Sequence, residues 1–220
     1  TMFDAIAPRY DLVNRVITFG LDKRWRTRTF VALALPAGST VLDLACGTGD
    51  FAAMVLDRGY RVVGSDLSLG MLAARHTGFP AAQADAAALP FCSGTLDGVV
   101  CGYALRNFTD LAASMGEAAR VLRPGGRLAI LEVAAPESGL MRLGFDAWFG
   151  RCVPAIGALL SDKAAYRYLP RSTAYLPEPD ELRHLLGQAG FATVGRHLLN
   201  GGLSQVVTAT RRGMPSGARR

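Results

Sequence analysis

Asp43, Asp66 and Asp85 stand roughly 20 residues apart, and each lies in or just after a short apolar run. The first run continues into Gly47-Thr48-Gly49. A strand that turns through paired glycines into a helix lets a ligand approach bare backbone, the usual arrangement for a nucleotide. The third glycine of the dinucleotide pattern is missing, because Ala52 stands there. Asp43 lies inside the strand, where a pyrophosphate site would not want an anion, and a carboxylate there suits a cationic ligand. Asp66, ending the next strand, can take both hydroxyls of a ribose. Asp85 follows the third strand in the same way.

Three acids at successive strands behind a Gly-x-Gly turn, over Val41–Glu132, resemble the pattern of the Rossmann-like class I methyltransferases, and that resemblance implies S-adenosyl-L-methionine as the ligand, with Asp85 accepting from the adenine amino group. Asp43, Ala45, Gly47, Thr48, Gly49, Asp66, Leu67, Met71, Asp85 and Ala86 are therefore the expected cofactor residues, with Leu89 as a further apolar wall.

The elements that must hold these residues alternate. Val41–Ala45, Arg61–Ser65, Ala81–Ala84, Leu96–Cys101 and Arg127–Glu132 read as strands. Asp50–Arg58, Ser68 to about His76, Asp110–Leu122 and Asp180–Gly190 read as helices, with Ser68 a good N-cap and Gly190 a stop. Pro124-Gly125-Gly126 reads as the turn into the fifth strand. Phe191–Leu199 and Leu203–Arg211 form an expected hairpin around Asn200-Gly201-Gly202. The fold class is α/β: a Rossmann-like, doubly wound, mostly parallel sheet with one antiparallel strand. Residues 1–36 are expected to form a helical lid, 37–212 the main domain with a helical insertion at about 139–175 (Gly139 to Lys163 its helical run), and 213–220 a flexible basic tail. The chain begins at Thr1, as expected of a trimmed start with a short leader before it.

Composition bounds the function. Half of the 220 residues are hydrophobic, which suits a globular chain with a full core. No apolar run approaches the roughly 20 residues that span a bilayer. Asp4, Arg9, Asp11 and Arg15 break any signal-peptide core. Cys46, Cys92, Cys101 and Cys152 show no zinc-ligand spacing and are read as reduced thiols of a cytoplasmic protein. His76, His184 and His197 are scattered and read as structural, so no metal is expected. The net charge of +6 gathers partly at Lys23, Arg24, Arg26 and Arg28. Such a cluster suits an anionic membrane surface or plain solvated surface, and no nucleic-acid module accompanies it.

Two flanking signatures narrow the acceptor. The segment Phe3-Asp4-Ala5-Ile6-Ala7-Pro8-Arg9-Tyr10-Asp11-Leu12-Val13-Asn14 with Ile17–Arg26, and Arg120–Leu128 with Glu132, resemble the two signatures of the ubiquinone/menaquinone-biosynthesis C-methyltransferase family. Tyr103-Ala104-Leu105-Arg106-Asn107-Phe108 is similar to its strand-four loop, and Tyr168–Ser172 and Ala189–Phe191 to its C-terminal part. The chain departs from the pattern at Val13, Thr18, Ala134 and Asp22; many members carry histidine at this last position, so no role of that histidine transfers.

The resemblance implies C-methylation of a prenylated hydroquinol ring, demethylmenaquinol to menaquinol being nearest. A ring carbon becomes an adequate nucleophile when the neighbouring phenol, with an ordinary pKa near 10, loses its proton. Arg106 and Asn107 are the expected catalytic pair, one stabilising the phenolate and the other orienting the ring oxygen or a water. Tyr10, Asp11, Asn14 and Tyr103 are expected at the lid or acceptor. Met141, Phe145, Trp148 and Phe149 are read either as a prenyl-chain groove or as core. Peripheral membrane contact and a homodimer stay open. Two competing readings are a methyltransferase of another small aromatic or secondary metabolite, and an inactive cofactor-binding partner of a biosynthetic complex.

Overall fold

The computed structural model describes residues 4, 10–136, 138–153, 155–156 and 172–213. Seven strands form one sheet in the order β3-β2-β1-β4-β5-β7-β6: β1 Thr40–Leu44, β2 Arg61–Asp66, β3 Ala81–Gln83, β4 Leu96–Gly102, β5 Leu122–Val133, β6 Phe191–Leu199 and β7 Ser204–Arg211. The pairs from β3 through β5 are parallel, and β7 runs antiparallel to both its neighbours.

Strand side chains alternate between two cores. Leu42, Leu44, Val99, Cys101, Leu128 and Ile130 face α5 (Leu111–Val121) and α7 (Pro179–Gln188). Val41, Val100, Ala129 and Leu131 face α2 (Asp22–Ala32) and α3 (Asp50–Asp57). Both faces are covered, which is why the central strands read as continuous apolar runs. The remaining helices are α1 (Tyr10–Ile17), α4 (Leu69–Ala73) and α6 (Gly139–Ala147). α2 packs across β4, β5 and β7 and against α3, so the N-terminal region is seated on the sheet.

Boundaries differ from expectation in three places. α4 starts as expected, with the Ser68 hydroxyl accepting from the Met71 N–H at 3.1 Å, but ends at Ala73 rather than near His76. β5 begins at Leu122: that residue pairs with Leu96 while Arg127 pairs with Gly98, so Pro124-Gly125-Gly126 forms a bulge inside the strand rather than a turn before it. The insertion forms α6 and then a wider turn at Trp148–Cys152. Its continuation through Lys163, the Tyr168–Arg171 motif and the tail from 214 lie outside the described residues. Among the described residues no helix is long and apolar enough to cross a membrane. All four cysteines are free thiols.

Candidate active site

At the carboxyl end of β1 the chain turns sharply. Ala45, Gly47 and Gly49 all take left-handed backbone, with φ of 56°, 54° and 97°. At Gly49 a Cβ would stand 2.7 Å from the Phe79 ring, so space as well as backbone demands glycine. At Gly47 a Cβ would meet nothing within 4 Å, which leaves the turn open to a ligand. Asp66, at the end of β2, ties this turn to the next: Oδ2 accepts from the Gly47 N–H and Oδ1 from the Ser68 N–H, each at 2.8 Å. Burial holds the Asp66 carboxyl above its ordinary value, against those two donors. Each oxygen keeps a lone pair for a further donor.

The cleft above the turn has a volume of about 160 Å³. Ala45, Gly47, Thr48, Asp66, Leu67 and Met71 line one side of it. Asp85, Ala86, Tyr103 and Asn107 line the other, and Asp11 of α1 closes it. Thr48 donates its hydroxyl to Asp11 Oδ1 at 2.8 Å. Asp4, further up the N-terminal segment, accepts from the Ser68 hydroxyl and from the Gly70 N–H at 2.8 Å. Four carboxylates (Asp11, Asp50, Asp66 and Asp85) and one guanidinium (Arg26) line this cleft. That balance suits a cationic adenosine ligand and rejects a pyrophosphate.

Asp43 differs from its expected place. It does not line the cleft; it lies buried beneath the turn, and Oδ2 accepts from the Ala52 N–H at 2.9 Å in the first turn of α3. It satisfies a helix N-terminus that would otherwise be buried without a partner. Burial raises its carboxyl to about 7, with Arg26 opposing. In an unfolded chain an aspartate titrates near 3.9, so this group stabilises the fold when protonated, and the contribution is lost as pH rises through 7. The melting temperature of cofactor-free protein should accordingly rise between pH 8 and pH 6, and Asp43→Asn should flatten that rise. An equal slope in the variant, measured by differential scanning fluorimetry, would exclude Asp43 as its source.

A second cavity, of about 330 Å³, lies beside the first and is walled mainly by apolar side chains, among them Ile17, Leu21, Trp25, Val133, Phe145 and Trp148. Asn14, Asp22 and Arg106 also line it. Arg26 and Tyr103 line both spaces. Tyr103 takes left-handed backbone (φ 58°), and its hydroxyl lies 3.2 Å from Ser204 Oγ. The Arg26 guanidinium stands 5.9 Å from the centre of its ring. The roof comes from α1 and the turn after α6: Trp148 Nε1 donates to the Ile17 carbonyl at 3.3 Å, and its ring packs on Phe19 at 4.6 Å. Phe19 is 72% exposed and still lines the cavity, which places it at the mouth. Met141, Phe145 and Trp148 thus line a cavity; the side chains of Phe149 and Tyr10 lie outside the described residues.

The expected catalytic pair is divided. Leu105–Asn107 is one tight three-ten turn, in which consecutive side chains point about 120° apart. Arg106 reaches the apolar cavity and Asn107 the cofactor cleft. Arg106 is ion-paired to buried Glu132, whose oxygens also accept from the Leu105 and Val133 N–H groups at 3.1 and 2.9 Å.

Sequence reasoning missed three groups. Arg26 was read with a surface cluster, yet its side chain is only 11% exposed and pairs with Asp50 at 3.4 Å, while Lys23, Arg24 and Arg28 stay exposed. His76, read as structural, lies between Asp11 at 3.7 Å and Asp50 at 3.6 Å, and this trio has the spacing of a metal-ligand set that sequence did not show. Each ring nitrogen faces one carboxylate, and Asp50 also pairs with Arg26. Glu132 was noted only as part of a motif. The i, i+4 spacing of Asp22 and Arg26 on α2 was the signal that could have drawn Arg26 out of the charge cluster.

A seven-stranded sheet with β7 reversed, a glycine turn at β1 and acids at the next two strand ends define a class I S-adenosylmethionine-dependent methyltransferase. A SAM-dependent methyltransferase from Thermotoga maritima shares the fold, with a TM-score of 0.67, 19% identity, and 96% and 99% of the two chains covered. The model of the ubiE/COQ5 methyltransferase family matches residues 1–211, and the chain belongs to that family. It is 44% identical over 221 residues to a demethylmenaquinone methyltransferase of Thermus thermophilus, covering 96% of this chain and 100% of that one. It is 39% identical to a ubiquinone/menaquinone biosynthesis C-methyltransferase, UbiE, of Syntrophotalea carbinolica, covering 96% and 92%.

Proposed function

We propose that this enzyme methylates a ring carbon of a prenylated hydroquinol, converting demethylmenaquinol to menaquinol. The observation that carries the reading is the apolar cavity beside the cofactor cleft, divided from it only by the shared Arg26 and Tyr103. A flat aromatic head group with a polyprenyl tail fits such a space, and the exposed Phe19 and Met141 mark where the tail leaves it. The names of the 44% and 39% identical relatives agree with it.

S-adenosyl-L-methionine supplies an electrophilic methyl group on a sulfonium. Asp66 holds its ribose hydroxyls, Asp85 the adenine amino group, and Leu67 and Met71 flank the base. Asp43 keeps the glycine turn in place from below. Arg106, which lines the acceptor cavity and is held by Glu132, stabilises the ring oxygen as it gains charge. Asn107 orients the methyl-donor side of the same turn. Residues 1–36 act as the lid, with Asp11 and Asn14 on its inner face, 37–212 form the catalytic domain, and 213–220 a basic tail. Closure excludes water, and positioning supplies most of the acceleration. Leu12 and Val16 of α1 and Phe19 in the turn after it are exposed, as are Lys23, Arg24 and Arg28 of α2, which suits peripheral contact with an anionic membrane where the quinol dissolves.

The test is incubation with methyl-labelled S-adenosyl-L-methionine and reduced demethylmenaquinone or a short-chain analogue. A ring-methylated product is expected. Cofactor binding without such a product would overturn the reading in favour of another acceptor or a non-catalytic role.

A further inference from the structure

We propose that Asp22 is the proton acceptor that activates the quinol, an assignment that rests on the acceptor reading above. Asp22 is the first residue of α2, is 3% exposed, and lines the apolar cavity. An acid in the first turn of a helix is ordinary when it stands in water, where the helix dipole favours it. Withdrawing that carboxylate from water into an apolar cavity is costly unless donors replace the lost hydration. Here the one donor is the Thr18 hydroxyl, 3.2 Å from Oδ1, and its single hydrogen is shared with the Asn14 carbonyl at 2.8 Å. A carboxylate has about four acceptor sites, so Asp22 meets the cavity with most of its capacity unused by the described residues.

Every other candidate fails on position or chemistry. Among the described residues Asp22 is the only carboxylate lining this cavity, and no histidine lines it. Asp11, Asp50 and His76 belong to the cofactor cleft or its mouth. Both oxygens of Glu132 are engaged by Arg106 and two backbone N–H groups. Arg106 stays protonated and cannot accept. Tyr103 is pushed further from ionisation by its burial, so its phenol acts as a donor or a spacer. The charged and titratable groups facing Asp22 are therefore Arg26 on its own helix, Tyr103 after β4, and the Arg106–Glu132 pair between the three-ten turn and β5. Arg26 lies one turn along α2 on the same face and also lines the cofactor cleft, so it stands with Asp22 where the two spaces meet.

The step balances without another reactant. The ring hydroxyl gives its proton to the Asp22 carboxylate, and the O–H electron pair stays on oxygen and feeds the adjacent ring carbon. That carbon forms the new C–CH3 bond, and the C–S pair remains on the departing sulfur. The hydrogen on the methylated carbon then leaves to solvent as a proton, its pair restores the aromatic ring, and Asp22 returns its proton to the ring oxygen. One proton is released per turnover.

Both tryptophans of the chain, Trp25 and Trp148, line this cavity, so intrinsic fluorescence reports acceptor binding independently of turnover. The experiment compares the full chain with Asp22→Asn, Asp22→Glu and Asp22→His. It measures kcat and KM with reduced short-chain demethylmenaquinone, fluorescence quenching by the oxidised menaquinone analogue, and melting temperature. Asp22→Asn should lower kcat about a hundredfold while KM and quenching affinity hold within about threefold. Asp22→Glu and Asp22→His should each recover about a tenth of wild-type kcat or more. In Asp22→His the acidic limb of the kcat–pH profile should move upward, since an imidazole takes up its proton at higher pH than a carboxylate does. The assignment is overturned if Asp22→Asn keeps kcat within about threefold, or if its loss is matched by lost quenching or lost melting temperature, the mark of a structural role. Wild-type enzyme that makes no ring-methylated product would instead overturn the acceptor reading, and this assignment with it.

Discussion

Glu132→Ala should destabilise the fold by about 3–5 kcal/mol, because it strands a buried guanidinium. Glu132 and Arg106 are both almost wholly buried, and the glutamate also satisfies the N–H groups of Leu105 and Val133. Its removal leaves one charge and two backbone donors without a partner, and water cannot reach them cheaply. Urea unfolding followed by circular dichroism checks this, and a loss under about 1 kcal/mol would mean that water or a rearranged loop replaces the carboxylate. A double variant, Glu132→Leu with Arg106→Met, should recover much of the stability, since removing both charges removes the orphan. Its methyl transfer should stay low, because the donor facing the acceptor cavity has gone. Stability and activity would then separate at one ion pair.

Asp66→Ala should weaken S-adenosyl-L-methionine binding by about 3–6 kcal/mol, roughly a hundredfold to ten-thousandfold, the worth of two hydrogen bonds to a charged acceptor. The same carboxylate holds the Gly47 and Ser68 N–H groups, so the variant also frees the turn that the ligand must approach. Asp66→Asn is the informative comparison: one acceptor oxygen survives, and the loss should be about tenfold. Isothermal titration calorimetry reads both. Unchanged affinity in Asp66→Ala would place the ribose elsewhere in the cleft.

Much of the cofactor cleft was legible because its signals are local. A glycine pair after an apolar run marks a strand turning into a helix, and Asp66 and Asp85 follow at strand ends in a repeating βα pattern. Depth was not legible. Asp43 inside β1 and Asp66 at the end of β2 are both strand acids, yet Asp66 lines the cleft while Asp43 lies beneath it against the Ala52 N–H. The acceptor cavity was harder to read because its walls come from distant segments: α1, α2, the loop after β4, α6 and the start of β7. Arg106 and Asn107 show the limit well, since adjacent residues in a three-ten turn serve different spaces. Arg26 was concealed by composition, three exposed basic neighbours making one buried guanidinium resemble surface charge.

β7 is last in chain order among the described strands, yet it lies between β5 and β6. During synthesis β5 must therefore wait with an open edge, and β6 has no place in the sheet until β7 has emerged. The parallel strands β1 to β4, with the glycine turn and Asp66, precede that event, whereas Leu203 and Ser204 complete the wall of the acceptor cavity. A nascent chain halted before residue 203 already carries every residue that lines the methyl-donor cleft but not all of those that wall the second cavity. The order of translation thus delays completion of the acceptor side until the sheet can close.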